Sequence, residues 1–103
     1  MPRTKGAAKK TAAKPKKAVP QAPPEHYFVL ADGRVLKDYK ELADIMDDLA
    51  DNVYLHHVNK ERNDFAKWIE DIFQDKELAE RLRKASGKHN VQLIIYRHIL
   101  GRQ

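Results

Sequence analysis

Apolar residues are unevenly spread along the chain, and their spacing divides it in two. Residues 1–24 read MPRTKGAAKKTAAKPKKAVPQAPP, and Val19 is the only branched apolar side chain among them. No buried face of a helix or strand can be drawn through such a stretch. All five prolines of the chain fall in it. A segment of this kind cannot bury enough apolar area to offset its chain entropy, so the pattern predicts a disordered arm. A coil of 24 residues spans about 25–30 Å end to end, and Val19 to Pro24 is expected to be its stiffest part.

From residue 25 the pattern changes. Tyr27-Phe28-Val29-Leu30 and Val35-Leu36 flank Asp32-Gly33. Asp-Gly between two short apolar runs predicts a β-hairpin, because glycine accepts a positive φ without steric cost. Two short strands are not stable alone, so the hairpin must rest on the helices that follow. Asp38 and Glu41 have the spacing of a capping box. Behind them Leu42, Ile45, Met46 and Leu49 recur at helical intervals, with Asp44, Asp47, Asp48 and Asp51 on the other side. Residues 51–58 suggest a short helix.

The clearest stripe is Phe65, Trp68, Ile69, Ile72 and Phe73, with Asn63 or Asp64 as its cap. Trp68, the only tryptophan, stands in the middle of this stripe and is expected in the core. Asp75 opens a further helix through Leu78, Ala79 and Leu82, for which Gly87 is the expected C-terminal stop. The last helix runs from Lys88 or His89 to Leu100, with Val91, Ile94, Ile95, His98 and Ile99 facing inward and Gly101 ending it. The expected fold is therefore α+β and mainly α. A short N-terminal hairpin packs on about four helices (residues 25–103), behind a basic arm (residues 1–24).

Charge sharpens this division. The chain carries 20 basic and 15 acidic residues. Seven of the bases (Arg3, Lys5, Lys9, Lys10, Lys14, Lys16 and Lys17) and none of the acids lie in the arm. The body is left with 13 bases and 15 acids, so the pI of about 9.5 describes the arm. Within the body, Asp38 to Asp51 holds six acids against Lys40, and Lys76 to the end holds seven bases against Glu77 and Glu80. Opposite signs on neighbouring helices help them pack. A sharper alternative joins Arg81, Arg83, Lys84, Lys88 and Arg97 into a patch that assists the arm in holding an anion.

Other chemistry is poorly supplied. There is no cysteine, which removes disulfides and thiolate metal sites. No apolar run approaches the ~20 residues needed to span a bilayer, and the N-terminus lacks the apolar core of a signal peptide; the chain reads as soluble and intracellular. His56 and His57 are adjacent, and neighbours on a helix diverge by about 100°, so a shared metal ion is not expected. One of the two is expected to be buried and hydrogen-bonded. Asp47 and Asp48 are sequence neighbours on a solvated face rather than convergent acids. With no phosphate loop, nucleophile elbow or Ser/His/Asp grouping, neither an enzyme nor a cofactor is expected.

Lysines spaced by Ala, Pro and Thr suit a polyanion of regular charge spacing whose sequence need not be read. The arm's composition resembles the tails of linker histones and of many chromatin and ribosomal proteins. In the body, His57-Val58, Asn63-Asp64-Phe65-Ala66, Trp68-Ile69 and Asp75-Lys76-Glu77-Leu78-Ala79 resemble a family of small, mostly archaeal domains of unknown function. That resemblance covers residues 27 to about 100 and implies a shared fold, a cytoplasmic setting and a nucleoid-binding role for the tail, but no activity. The expected function is sequence-independent nucleic-acid binding, to DNA rather than RNA, in a chromatin-like or nucleoid-associated protein that has no membrane partner. The alternative is a protein–protein interaction module using an acidic helix face or an apolar groove, or self-association through its acidic and basic surfaces, with a solubilising or tethering tail.

Overall fold

A computed structural model of the chain describes residues 19–101. The arm's seven basic residues lie outside that range. A single 3-10 turn at Pro24–His26 leads into a hairpin of β1 (Phe28–Val29) and β2 (Val35–Leu36), paired antiparallel with Phe28 opposite Leu36 and Val29 opposite Val35. Five helices follow: α1 (Tyr39–Ile45), α2 (Asp51–His57), α3 (Asp64–Phe73), α4 (Lys76–Arg83) and α5 (Lys88–Leu100). The fold is α+β and mainly α, as the pattern predicts.

The hairpin turn closes as Asp-Gly requires. The Gly33 amide donates to the Leu30 carbonyl, the Leu30 amide to the Arg34 carbonyl, and Gly33 takes φ +97°. A three-residue loop with a left-handed residue at its end fits the right-handed twist of the two strands.

Helices α1, α3 and α4 each start on a side-chain cap. The Asp38 side chain accepts from the Glu41 amide at 2.8 Å, while Glu41 reaches back to the Lys37 amide at 2.8 Å, one residue before the usual partner in a capping box. Asn63 caps α3 through the Ala66 amide, and Asp75 caps α4 through the Leu78 amide. Helix α1 is shorter than its apolar stripe: it ends at Ile45, and Met46 and Leu49 stay buried from the turn that follows. Gly87 is not the C-terminal stop of α4. That helix ends through Lys84 in ordinary αR geometry, and Gly87, at φ +105°, is the N-cap of α5.

The core is continuous across these elements. Leu42, Ala43, Phe65, Ala66, Ile69, Leu78, Ala79, Leu82, Val91 and Ile95 are all buried. Helix α3 packs on α4, and α5 packs across both α1 and α4. Trp68 is buried, and its indole N–H donates to the His26 carbonyl at 2.8 Å. Phe28 stands edge-on to Trp68 and close to Phe65, which seats the hairpin on α3.

The body also begins earlier than composition indicates. Ala22, placed in the arm by its surroundings, is 4% exposed and donates its amide to the Lys37 carbonyl at 2.8 Å; Val19 packs beside it against the core. Val19 and Ala22, which composition assigns to the arm, are therefore part of the packed body.

Candidate nucleic-acid interface

The five basic residues expected to form a patch on the body separate into three places. Arg81 and Arg83 are two positions apart on α4, which turns them about 200° away from each other. Arg81 pairs with Glu77 at 2.7 Å. Arg83 pairs with Glu70 of α3 at 2.8 Å and with Glu80 at 3.1 Å, and the Glu70 carboxylate raises the affinity of its guanidinium for the proton. Arg83 lines an open cavity of about 420 Å³ with Lys60 and Arg62 of the α2–α3 connection.

Lys88 opens α5. Its ammonium donates to the Leu49 carbonyl at 2.6 Å and pairs with Asp51 at 2.8 Å, which lowers the Asp51 carboxyl below its ordinary range. Arg97 lies nine residues further along α5, about half a turn out of phase and about 13 Å along the axis. It meets Arg81, Glu77, His98 and Gly101 around a cavity of about 340 Å³. Lys84 and Arg97 alone among the five make no ion pair with any described residue. Arg81 and Arg97 thus share one cavity, Arg83 lines another, and Lys88 is held by Leu49 and Asp51.

The acidic stretch is answered from within the same domain. Gln92 of α5 donates to the Ala43 carbonyl at 3.0 Å and to Asp47 at 3.2 Å. Tyr96 donates its hydroxyl to Asp44, which pushes the phenol up to about 12. Partial burial raises the Asp44 carboxyl, but the bonds from Tyr96 and Lys40 outweigh it and hold the group below its ordinary value. Asp48 meets Arg34 at 3.3 Å. Neutral donors of α5, rather than opposed charge, thus join it to α1 and the turn that follows.

The histidines are tied into the fold. His57 is 5% exposed, and both its ring nitrogens are engaged: Nε2 accepts from the Ala31 amide at 3.0 Å, and Nδ1 lies 2.9 Å from Asp64. Because an amide can only donate, Nε2 is the bare nitrogen and Nδ1 carries the proton that Asp64 receives. His56 stands across it with the ring planes at 89°. His98 reaches Asp75 at 2.7 Å and ties the end of α5 to the cap of α4. Among the described residues no three His, Asp or Glu side chains gather as a metal site would require.

Two features escaped the sequence. Lys60 and Arg62 join Arg83 only through the Val58–Asn63 bridge that folds the connection back on itself. The second is an apolar groove of about 330 Å³ between Tyr27–Val29 and α3. No signal in the sequence marks it, since Trp68 and Ile72 read as ordinary core positions. No protein-family model, curated protein or solved structure matches the chain. The segment from His57 to Asp64 does have a structural role: Asn63 caps α3, and His57 bonds into that turn through Asp64.

Proposed function

We propose that the protein is a non-enzymatic, nucleoid-associated binder of duplex DNA whose leading arm supplies phosphate contacts without reading sequence. The observation that carries this reading is the separation of charge: seven bases and no acid in the first 24 residues, beside a body whose bases are outnumbered by acids. The body's internal pairing strengthens it. Arg34, Arg81, Arg83 and Lys88 already face carboxylates at 2.7–3.3 Å, which leaves these four body cations less available to an external polyanion.

Lys84 and Arg97 are the body residues best placed to add contacts. Arg81 joins them when a phosphate displaces Glu77. Counterion release then sets the affinity, which rises with the number of phosphates neutralised and falls with salt. No helix of the described residues is long and apolar enough to cross a membrane.

The test is a salt series of duplex binding by fluorescence anisotropy. Full engagement of the seven arm charges gives a log–log slope of about −6. A slope near zero, or an affinity that ignores salt, overturns the reading.

A further inference from the structure

The hairpin turn is fastened to the helices through a side chain that can change its charge. His57 lies on α2 at 5% exposure, and its Nε2 accepts from the Ala31 amide at 3.0 Å. An amide only donates, so this bond exists only while Nε2 carries no proton. Nδ1–H meanwhile donates to Asp64, at the start of α3, at 2.9 Å. A second proton on the ring would set two N–H groups facing each other across 3.0 Å. The Asp64 bond would survive that step, and the Ala31 bond would not.

Two other fastenings of the hairpin end on main-chain carbonyls. The Trp68 indole holds the His26 carbonyl before β1, and the Ala22 amide holds the Lys37 carbonyl after β2. Neither gains a proton between about pH 5 and pH 8, the interval in which an imidazole does. Leu30, 2% exposed, keeps an apolar hold beside Ala31. Ring protonation therefore loosens the turn without expelling the hairpin.

The charges around the ring leave that direction in place. From α3, Asp64 favours the imidazolium, but it binds the same N–H in both states and so does not keep the turn docked. Arg62, in the α2–α3 connection, meets Asp64 at 3.5 Å and draws on that carboxylate. On α2 itself His56 stands 4.8 Å away between ring centroids, a second imidazole open to protonation. In the turn, Asp32 and Arg34 are paired at 2.9 Å, and Arg34 also meets Asp48. Phe28 and Phe65 add only hydrocarbon, at 5.0 and 5.4 Å between centroids. Docking thus requires the neutral ring, so it is whole at the upper end of the interval and weakens as pH falls through it. We propose that His57 is an acid-sensitive latch: by taking a proton from solvent it frees the Ala31 amide and lets the hairpin turn open away from α2 and α3.

The test follows the full-length ¹⁵N-labelled protein from about pH 8 to about pH 5. Long-range nitrogen–proton spectra report the state of the His57 ring. Hydrogen exchange, corrected for its own pH dependence, reports opening at Ala31. The expected result is a fall of about tenfold in Ala31 protection, with the midpoint of His57 protonation, while Ile69 in α3 keeps its protection. His57→Gln offers a neutral acceptor to Ala31, and its protection there should not change with pH. His56→Gln should leave the response in place, which separates the two rings. If the His57 variant fails to fold, the midpoints in the unaltered protein decide alone. An imidazolium at His57 with Ala31 protection unchanged overturns the proposal. So does a ring that stays neutral throughout, the same loss in a folded His57→Gln protein, or a loss shared equally by Ala31 and Ile69, which is global unfolding.

Discussion

Replacing His57 with alanine tests the link that fastens the hairpin to the helices. The ring joins three elements: Nε2 holds the Ala31 amide in the hairpin turn, Nδ1 donates to Asp64 at the start of α3, and the ring itself lies on α2. It also stands edge-on to Phe28 at 5.0 Å and tilted against Phe65 at 5.4 Å between centroids. Each hydrogen bond contributes about 1 kcal/mol net, and the lost ring contacts and burial add about 1–2 kcal/mol. His57→Ala should therefore cost about 3–4 kcal/mol. That is a large share of the ~5–15 kcal/mol available to a domain of this size. It corresponds to a fall in Tm of roughly 12–30 °C.

His57→Phe separates the two contributions. It keeps a ring among Phe28 and Phe65 and should recover about 1–2 kcal/mol of the loss, while the Ala31 amide still loses its acceptor. Urea unfolding followed by Trp68 fluorescence gives the stabilities, and amide exchange at Ala31 reports the orphaned donor. A loss under ~1 kcal/mol for His57→Ala with an unchanged m-value, or full protection of Ala31 in His57→Phe, would refute the reasoning.

Other substitutions probe the caps and the charge pairing. Asp38→Ala should cost about 1 kcal/mol, whereas Asp38→Asn should stay within a few tenths because it keeps the cap acceptor. Burial raises the Asp38 carboxyl in the fold, so its ionisation weakens the fold as pH rises through the carboxylate range; Asp38→Asn should flatten that part of a stability–pH profile measured by urea midpoints. Tyr96 should ionise at about 12 in an absorbance titration, and the step should vanish in Tyr96→Phe. Since the folded value lies above the ordinary 10, the Tyr96 contribution to stability is whole below pH 10 and lost as pH climbs from there towards 12. Gly33→Ala should cost about 1 kcal/mol in thermal unfolding, through backbone strain alone, because at φ +97° an added Cβ meets nothing within 4 Å.

Much of the fold was legible because local chemistry and tertiary packing agree. Asp32-Gly33, the Asp38/Glu41 pair and the Phe65–Phe73 stripe each specify one local geometry, and each is present. The exceptions share a cause, which is that a short-range pattern does not see what lies across the chain. Met46 and Leu49 continue the apolar spacing of α1 although the backbone has left the helix, since a turn can hold side chains inside as well as a helix can. Gly87 follows α4 closely enough to resemble its stop, yet its positive φ serves the entry to α5. Ala22 looks like any other alanine of the arm, and its burial depends on the Lys37 carbonyl, 15 residues away.

The candidate interface was less legible than the fold. Helical phase alone separates Arg81 from Arg83, and about half a turn separates Lys88 from Arg97, so their division could have been read from spacing. Their partners could not. Glu70, Asp51 and Leu49 reach Arg83 and Lys88 only through tertiary packing. The groove beside β1 has no counterpart in the sequence, because its two walls, residues 27–29 and α3, meet only through tertiary packing.

The most direct measurement compares duplex-DNA binding by the full chain with that of a full-length variant in which Arg3, Lys5, Lys9, Lys10, Lys14, Lys16 and Lys17 are all glutamine. With Trp68 fluorescence showing the same folded body, the variant should lose nearly all affinity at low salt, and its log–log salt slope should shrink from about −6 to between 0 and about −2. Undiminished binding by the variant would contradict the claim that the arm carries the function.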